Sequence, residues 1–225
     1  MPATNEQQAY ERLRAAILSL ELAPGAPLSE RGLEALAGAS RTPVRAALMR
    51  LAGDGLAERL PRGWRVTPID AEEVRAVMEF RETVERGAVA LAIERASDEE
   101  IAALRAFTAD HGNGDDGPTG LRDGTDFHTA VATLSRNPFF AEAVRDALTR
   151  LSRTRWLEVR TTESRAQLRG EHAAIVDAIA ARDVDLARAL VGRHCAGTRD
   201  RTLALLTGAD ARRRLRASGI EVVAG

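Results

Sequence analysis

One short segment of this 225-residue chain, "LAERLPRGWRVT" at residues 56–67, alternates apolar and polar side chains around Pro61, Arg62 and Gly63. Alternation with a period of two on both sides of a turn predicts two short strands joined as a hairpin. The other patterned segments repeat their apolar residues at spacings of three and four, which predicts helices. A chain with a single hairpin and otherwise helical patterning is expected to fold as a mainly α protein.

Three helices are predicted before the hairpin, over residues 7–20, 30–37 and 41–53. A loop separates the first two, because "LAPGAPL" contains two prolines and a glycine. Ser29 is suited to cap the second helix and Ser40 the third, since serine is a favoured N-cap residue. Three helices and a hairpin in the first 68 residues form a small winged module.

The rest of the chain carries no strand pattern. Helices are predicted over residues 70–95, 97–110, 121–136, 138–160, 163–182 and 183–206. We therefore expect four parts: a winged helix-turn-helix domain (1–68), a linker (69–71), an all-helical bundle of about six helices (72–207) and a tail (208–225). The glycine-rich connector at 111–120 is expected to be flexible, and the tail to be loosely ordered.

Composition excludes some classes of protein. The single cysteine, Cys195, allows no intrachain disulfide, and a reducing cytoplasm is the expected location. No apolar run approaches the roughly 18 residues of a membrane span, so no membrane partner is expected. The formal net charge is −1, which by itself offers no argument for a nucleic-acid partner.

The third predicted helix places Arg41, Thr42 and Arg45 on its first turn, while Val44 and Leu48 form its apolar stripe. A helix-turn-helix protein inserts its second helix into the major groove, and residues near the N-terminus of that helix contact base edges. Arginine can bind guanine through two hydrogen bonds. The pattern therefore indicates a DNA-reading helix, and the alternative is a capped surface helix with solvated arginines.

Residues 9–67 resemble the winged helix-turn-helix of GntR-family transcription regulators in "AAILSLELAPGAPLSE", "SRTPVRAALMRLAGDGL" and "PRGWRV". The resemblance implies binding to a double-stranded DNA operator. A departure is Gly32, where the family usually has another residue; glycine within a helix costs about 1 kcal/mol relative to alanine, so a late start of that helix is expected. With the hairpin tip added, the expected DNA-contacting residues are Arg31, Ser40, Arg41, Thr42, Pro43, Arg45, Arg62 and Gly63.

Three of the four histidines fall on separate predicted helices: His128, His172 and His194. Imidazoles that converge within a helical bundle suit zinc, iron, nickel and copper. For each histidine alone, the alternative is a surface position or a hydrogen-bonded place in the core. His111 lies in the glycine-rich connector and is expected to be exposed.

Residues 72–206 resemble the FCD ligand-binding domain of FadR-like GntR regulators in "FRETVERGAVALA", "FHTAVATLSRNP" and "EHAAIVDAIAARDVDLARALVGRH". The resemblance implies a homodimer in which an aspartate and three histidines hold a divalent metal, such as zinc, nickel, iron or manganese. It also implies a small-molecule effector, an organic acid, beside the metal. His128, His172 and His194 match the histidines, and Arg81 matches an arginine that commonly faces the effector.

The aspartate of the family pattern is missing, because Gly124 stands four residues before His128. In a regular helix, Asp126 lies about 160° and Asp123 about 140° around the axis from His128. Asp123 can join the histidines only if the helix begins near Thr125. Two versions follow: a metal held by three imidazoles with water or effector beside them, or a metal bound weakly or not at all.

Arg81 also has a structural interpretation, a solvated ion pair with Glu85 at i+4 that contributes a few tenths of a kcal/mol.

The leading functional hypothesis is a ligand-responsive transcription regulator, with repression the commoner mode in the family. A second hypothesis is a metal-dependent enzyme that uses the three histidines, with Asp123, Asp126 or Glu171 as a base. The sequence contains no HExxH pattern and no glycine-rich phosphate loop to support it. A third is a helical interaction module without an effector.

Overall fold

The computed structural model of the chain describes residues 5–110, 117–155, 159 and 161–223; at 110 and 117–124 it describes the backbone only. Residues 111–116, with His111 and most of the predicted connector, lie outside the described residues. The chain divides into two compact units. The first unit comprises Met1–Glu73 together with Leu206–Gly225, and the second comprises Val74–Leu205.

The described elements follow one another in this chain order: α1 (Asn5–Leu18), β1 (Pro27–Leu28), α2 (Glu34–Ala37), α3 (Arg41–Gly53), β2 (Ala57–Arg59), β3 (Trp64–Val66), β4 (Ile69–Asp70), α4 (Ala71–Arg95), α5 (Asp98–Asp110), α6 (Gly117–Leu134), α7 (Pro138–Arg155), α8 (Thr162–Ala180), α9 (Val184–Thr207), α10 (Ala209–Ala217) and β5 (Val222–Val223). The mainly α class with an N-terminal winged module is confirmed.

The predicted hairpin is present in the first unit. Strands β2 and β3 pair antiparallel, with Ala57 opposite Val66. Gly63 turns the chain at φ +87°, a left-handed conformation that glycine adopts without strain. Strand β1 pairs with the other edge of β3. This third strand was not predicted, because two residues are too few to show an alternating pattern.

Two helix starts differ from the prediction. Helix α2 begins at Glu34 rather than at residue 30, because the Ser29 hydroxyl accepts a hydrogen bond from Gly32 N–H at 3.0 Å and the chain forms a turn there. The late start agrees with the effect expected of Gly32. Ser40 does occupy the N-cap position of α3, but its side chain makes no capping hydrogen bond.

The core of the first unit lies between α1, α3 and the small sheet. Leu13 and Ile17 of α1 are buried in one cluster with Leu48 and Leu51 of α3 and with Trp64 of β3. Complete burial of such a side chain stabilises the fold by roughly 1.5–3 kcal/mol. This packing fixes which face of α3 points inward and leaves its arginines on the outside.

Residues 208–223 are more ordered than the loose tail that we expected of residues 208–225. Helix α10 buries Leu215, and β5 pairs in parallel with β4. Glu221 donates its N–H to Pro24 O and accepts the N–H of Ile69, each at 3.0 Å. The run of arginines in α10 obscured the spaced apolar residues that anchor this segment in the first unit.

The second unit is a bundle of helices, in which α5 packs on α8 and α6 packs on α7. Ser97 and Glu100 form reciprocal capping hydrogen bonds at the start of α5. Asn137 Oδ1 accepts the N–H of Phe139 at the start of α7. The core residues come mainly from α4, α6, α8 and α9 and include Val89, Ile93, Val131, Ile175, Ile179 and Val191. Within the described ranges, each helix is too short or too polar to cross a membrane.

Candidate functional site

The first turn of α3 presents the predicted DNA-reading side chains to solvent. The side chains of Arg41 and Arg45 are 61% and 58% exposed, and Thr42 is also exposed. On the opposite side of the helix, Val44 and Leu48 are completely buried. The arginines are therefore held by an anchored helix while their guanidinium groups remain accessible.

Each of these arginines faces a carboxylate near α2. Arg41 Nε lies 3.2 Å from Glu34 Oε1, and Arg45 Nε lies 3.8 Å from Glu30 Oε1. Exposed ion pairs of this kind contribute about 0–1 kcal/mol. The carboxylates can thus orient the arginines without preventing them from binding another acceptor.

A cleft of about 370 Å³ lies beside the start of α3, and its lining includes Arg31, Arg41, Arg59 and Gly63. Arg59 was not predicted as part of this surface. It ends β2 opposite Trp64, and its guanidinium carbon lies 5.8 Å from the Trp64 ring centroid. Of the other predicted residues, Ser40 and Arg62 are exposed and Pro43 is half-buried.

In the second unit, the structure brings together the three predicted histidines. His128 comes from α6, His172 from α8 and His194 from α9, and all three are buried. Their ring centroids lie 4.8–5.1 Å apart. One nitrogen from each ring lies within 4.8 Å of the other two. This histidine cluster (His128, His172 and His194) is the candidate metal centre.

Two carboxylates fix the orientation of two of the rings. Glu85 Oε2 lies 2.8 Å from His128 Nδ1, and Glu171 Oε2 lies 2.7 Å from His194 Nδ1. An ionised carboxylate only accepts hydrogen bonds, so each Nδ1 carries a hydrogen and, in a neutral ring, Nε2 keeps its lone pair. Metal-binding histidines are commonly oriented in this way. Only the folded bundle brings these distant residues together, so sequence spacing did not predict the contacts.

Burial and neighbouring charges keep the carboxylate and the rings in these states. Burial alone would raise the pKa of Glu85, but the charge of Arg81 and the hydrogen bonds from Arg81 and His128 outweigh it and hold that pKa well below its usual value. Burial, with the charge of Arg81, lowers the pKa of His128 to about 3. Burial also lowers the pKa of His172. His128 and His172 are therefore neutral near pH 7.

The Nε2 atoms of His128 and His194 converge, and that of His128 also contacts Arg81 Nη2 at 2.7 Å. His128 Nε2 and His194 Nε2 lie only 3.3 Å apart. Two nitrogen ligands of a tetrahedral zinc ion, each bound at about 2.0–2.1 Å, are separated by roughly 3.3 Å. His172 Nε2 is buried and has no hydrogen-bond partner among the described residues. The donor set therefore fits a divalent metal that prefers imidazole ligands.

Arg81 lies inside this site. Its side chain is 1% exposed, its Nε donates to Glu85 Oε1 at 2.5 Å, and its Nη2 lies 2.7 Å from His128 Nε2. The ion pair of Arg81 with Glu85 is present, but the prediction that it is solvated is wrong, because both side chains are buried. Removing one partner of a buried ion pair leaves an uncompensated charge and is strongly destabilising.

A second buried arginine approaches the same site. Arg155 Nη1 donates to Thr125 Oγ1 at 2.6 Å. Thr125 precedes His128 by three residues on α6, which places it about 60° around the helix from His128. The charge of Arg155 also contributes to the low pKa of His172, after burial and the other two histidines. Arg155 was not predicted, since its place depends on the packing of α7 against α6.

The structure does not meet the condition under which Asp123 could join the histidines. Helix α6 begins at Gly117, so positions 123 and 124 are already helical. Position 123 then lies about 140° around the axis from His128; the side chain of Asp123 lies outside the described residues. Asp126 is exposed, as its position in the helix predicts.

The sequence matches two protein families, one over each part of the chain. Residues 5–66 match the family described as bacterial regulatory proteins, gntR family. Residues 76–197 match the family described as the FCD domain. The first match includes the exposed arginines of α3, and the second includes the complete histidine cluster.

Two relatives extend over most of the chain. An uncharacterized HTH-type transcriptional regulator in an unstable DNA locus of Streptomyces ambofaciens is 35% identical over 195 residues, 85% of this chain and 82% of the relative. The Nta operon transcriptional regulator of Aminobacter aminovorans is 31% identical over 195 residues, 85% of this chain and 91% of the relative. Both relatives are named as regulators of transcription.

Two solved structures share the fold. A putative transcriptional regulator GntR from Rhodococcus sp. RHA1 has a TM-score of 0.76 at 22% identity, over 90% of this chain and 99% of that one. The E. coli protein McbR/YncC has a TM-score of 0.74 at 20% identity, over 94% and 99%. The chain therefore belongs to the GntR family of bacterial transcriptional regulators and carries an FCD domain after its DNA-binding domain.

Proposed function

We propose that the chain is a transcriptional repressor that senses a small organic acid through a divalent metal held by its histidine cluster. The observation that carries this proposal is the 3.3 Å separation of the Nε2 atoms of His128 and His194, whose Nδ1 atoms both face carboxylates. Two convergent lone pairs in a buried site are stabilised by a cation. A metal and a nearby guanidinium together favour an anionic ligand.

Residues 1–68 are proposed as the DNA-binding domain, residues 69–71 as the linker, and residues 72–207 as the effector-binding and dimerisation domain. The exposed first turn of α3 supports DNA reading, with Arg41 and Arg45 as base-contacting residues. Such contacts read base edges, whereas contacts to phosphate fix the position of the protein on the duplex. We assign Arg31, Ser40, Thr42, Pro43, Arg62 and Gly63 to the same interface.

The proposed metal ligands are His128, His172 and His194. A bound divalent ion would supply a positive charge and open coordination positions for a carboxylate. Arg81 is the proposed second anchor of the carboxylate, because its buried guanidinium already lies against His128. Arg155 adds a further positive charge near Thr125, which favours an acid over a neutral ligand. Asp123 is not required by this arrangement.

We propose that the chain acts as a homodimer on a near-palindromic operator, because two-fold symmetric regulators pair two recognition helices with two half-sites. Its site of action is then the chromosome in the cytoplasm. The effector would lower operator affinity by favouring another arrangement of the two DNA-binding domains. Coupling of this kind is typically about 1–3 kcal/mol, which changes affinity by about 5–150-fold.

The direct test is fluorescence anisotropy with DNA from upstream of the chain's own gene. Metal-free and metal-loaded protein are titrated against this DNA with and without each member of a panel of small carboxylic acids. We expect specific binding that one acid weakens only in the metal-loaded protein. Failure to bind that DNA more tightly than an unrelated duplex would contradict self-regulation of this gene. An equal response without metal would contradict the metal-dependent part.

A further inference from the structure

The contact between Arg81 and His128 has a consequence for metal binding. His128 Nδ1 donates to Glu85, so Nε2 holds the only lone pair of that ring with which a metal could bind. Arg81 Nη2 donates a hydrogen bond to this same lone pair at 2.7 Å. One lone pair cannot serve the guanidinium and a metal together. Ligation by His128 therefore requires Arg81 Nη2 to turn away.

The positive charge of Arg81 also opposes metal binding by His128. The Arg81 guanidinium carries a full positive charge that neighbours the ring, and in a buried site its repulsion of a dication is weakly screened. Glu85 offsets this charge, but it binds Arg81 and His128 at once, through Oε1 and Oε2. The guanidinium thus competes with a metal both for the lone pair and by charge.

The same geometry allows Arg81 to change partner without a change in the backbone. Its Nε stays with Glu85 Oε1 at 2.5 Å while Nη2 contacts His128. The planar guanidinium turns as a unit, so redirecting Nη2 also moves Nε, but Glu85 stays within reach because it lies one turn away on the same helix. A ligand carboxylate is a suitable new acceptor, because guanidinium and carboxylate form charge-assisted pairs.

We propose that Arg81 couples the two ligands of the site: a carboxylate that takes the Arg81 Nη2 hydrogen bond releases His128 for the metal. This inference rests on the function proposed above and adds the sign of the coupling between acid binding and metal binding. The acid raises the affinity for metal, and by reciprocity the metal raises the affinity for the acid by the same factor. Neither ligand alone gives the full occupancy that the pair gives.

The test measures metal affinity by competition with a fluorescent chelating indicator, with Ni²⁺ as the metal. Wild-type protein is compared in sodium chloride and in sodium acetate, lactate or succinate of equal ionic strength, at buffered free Ni²⁺. We expect at least one of the three acids to tighten Ni²⁺ binding by about fivefold or more.

The main variant is the double substitution Arg81→Gln with Glu85→Gln. It removes both charges of the buried pair, so that no uncompensated charge remains. We expect its Ni²⁺ affinity in chloride to exceed that of the wild type in chloride, and the acid to add less to it than to the wild type, because only direct coordination of the acid to the metal remains. Arg81→Lys is the second variant; its shorter reach should keep the pair with Glu85 and lose the contact with His128, which again tightens Ni²⁺ binding in chloride.

Arg86→Gln is the matched control, because Arg86 forms an i,i+4 pair with Glu82 on the same helix, at 3.3 Å, and is 44% exposed. It should behave as the wild type does. Equal wild-type affinity in chloride and in all three acids, or Arg81 variants with unchanged affinity, would overturn the coupling alone. Absence of Ni²⁺ binding in every buffer would overturn both the coupling and the proposed metal centre.

Discussion

Arg41 donates from Nε to Glu34 at 3.2 Å, yet 61% of its side chain remains exposed to solvent. The pair therefore orients the guanidinium at the beginning of α3 and leaves its outer N–H groups accessible. Arg45, one turn further along, faces Glu30 in a longer ion pair at 3.8 Å, and its side chain is 58% exposed. The two arginines most important for the DNA proposal are thus preorganised at the surface rather than used within the core.

We expect Arg41→Ala or Arg45→Ala to weaken operator binding by about 1–3 kcal/mol, because each removes a guanidinium able to pair with guanine. Fluorescence anisotropy at fixed salt measures the change, and sedimentation shows whether the dimer is intact. Arg50→Ala is the control, since Arg50 is near the other end of α3 and stacks on Tyr10. If both test variants bind as the wild type does, α3 does not read the groove.

We expect His172→Ala to reduce metal content and to blunt the response to the effector. His172 Nε2 is buried without a hydrogen-bond partner among the described residues, and the ring stacks on Phe127, so the substitution removes a candidate ligand together with one ring contact. Elemental analysis of protein purified without a chelator or a histidine tag provides the measurement. His111→Ala controls for the loss of a histidine. A wild-type protein devoid of metal would refute this prediction.

In the presence of a chelator, the free energy of unfolding should decrease as the pH is lowered from 6.5 to 4.5. The unfolded His128 ring takes up a proton below its ordinary pKa of 6.5, whereas burial, with the charge of Arg81, lowers the folded pKa to about 3. Protons therefore favour the unfolded chain, and the free energy of unfolding should drop by up to about 1.4 kcal/mol per pH unit for this ring. Urea titrations at several pH values measure this slope.

His128→Asn should make that slope shallower, because the substituted side chain takes up no proton in this range. Burial also depresses the pKa of His172, so some slope should remain in the variant. Below about pH 4.5 protonation of carboxylates in the unfolded chain adds to the loss of stability. Identical slopes for the wild type and the variant would mean that His128 titrates alike in both states.

We expect Gly124→Asp to tighten metal binding. Position 124 is helical and lies four residues before His128, about 40° around the axis. A carboxylate there would add an oxygen ligand on the side of α6 that carries the histidine. Indicator competition with Ni²⁺ compares this variant with Gly124→Asn, which adds bulk without charge. Unchanged affinity in both variants would show that position 124 does not face the metal.

We expect Phe139→Ser to weaken the proposed homodimer by about tenfold or more, since aromatic side chains dominate interface energetics. Phe139 is 79% exposed, the most exposed of the large apolar side chains in the described part of the chain. Analytical ultracentrifugation gives the dissociation constant. Leu186→Ser, at a side chain that is 45% exposed, is the control. Equal dissociation constants for the wild type and Phe139→Ser would place the interface elsewhere.

Local patterns were sufficient for much of the fold. The period-two alternation around Gly63 identified the hairpin, and the apolar spacing of Val44, Leu48 and Leu51 identified α3 and its buried face. The structure adds the pairs β1–β3 and β4–β5, which join segments of two or three residues from distant parts of the chain. Such pairs are stabilised by their partners rather than by their own sequence, so no local pattern indicates them.

The candidate metal centre was also predicted only in part, because its histidines could be identified from the sequence but their carboxylate contacts could not. The matched positions of His128, His172 and His194 could be read from the sequence, and so could the missing aspartate at position 124. The contact of Glu85 with His128 joins residues 43 positions apart, and that of Glu171 with His194 joins residues 23 apart. These contacts depend on how the helices cross, which helical periodicity does not specify.

The ordered C-terminal segment affects how the protein should be handled. Gly25, at φ +87°, is approached so closely by Glu221 that a Cβ at this position would collide with it. Deleting the chain after Thr207 would remove β5 from β4 and take away the acceptor of the Ile69 N–H. A fusion partner or affinity tag appended beyond Val223 would therefore sit on a structural part of the unit that contains α3.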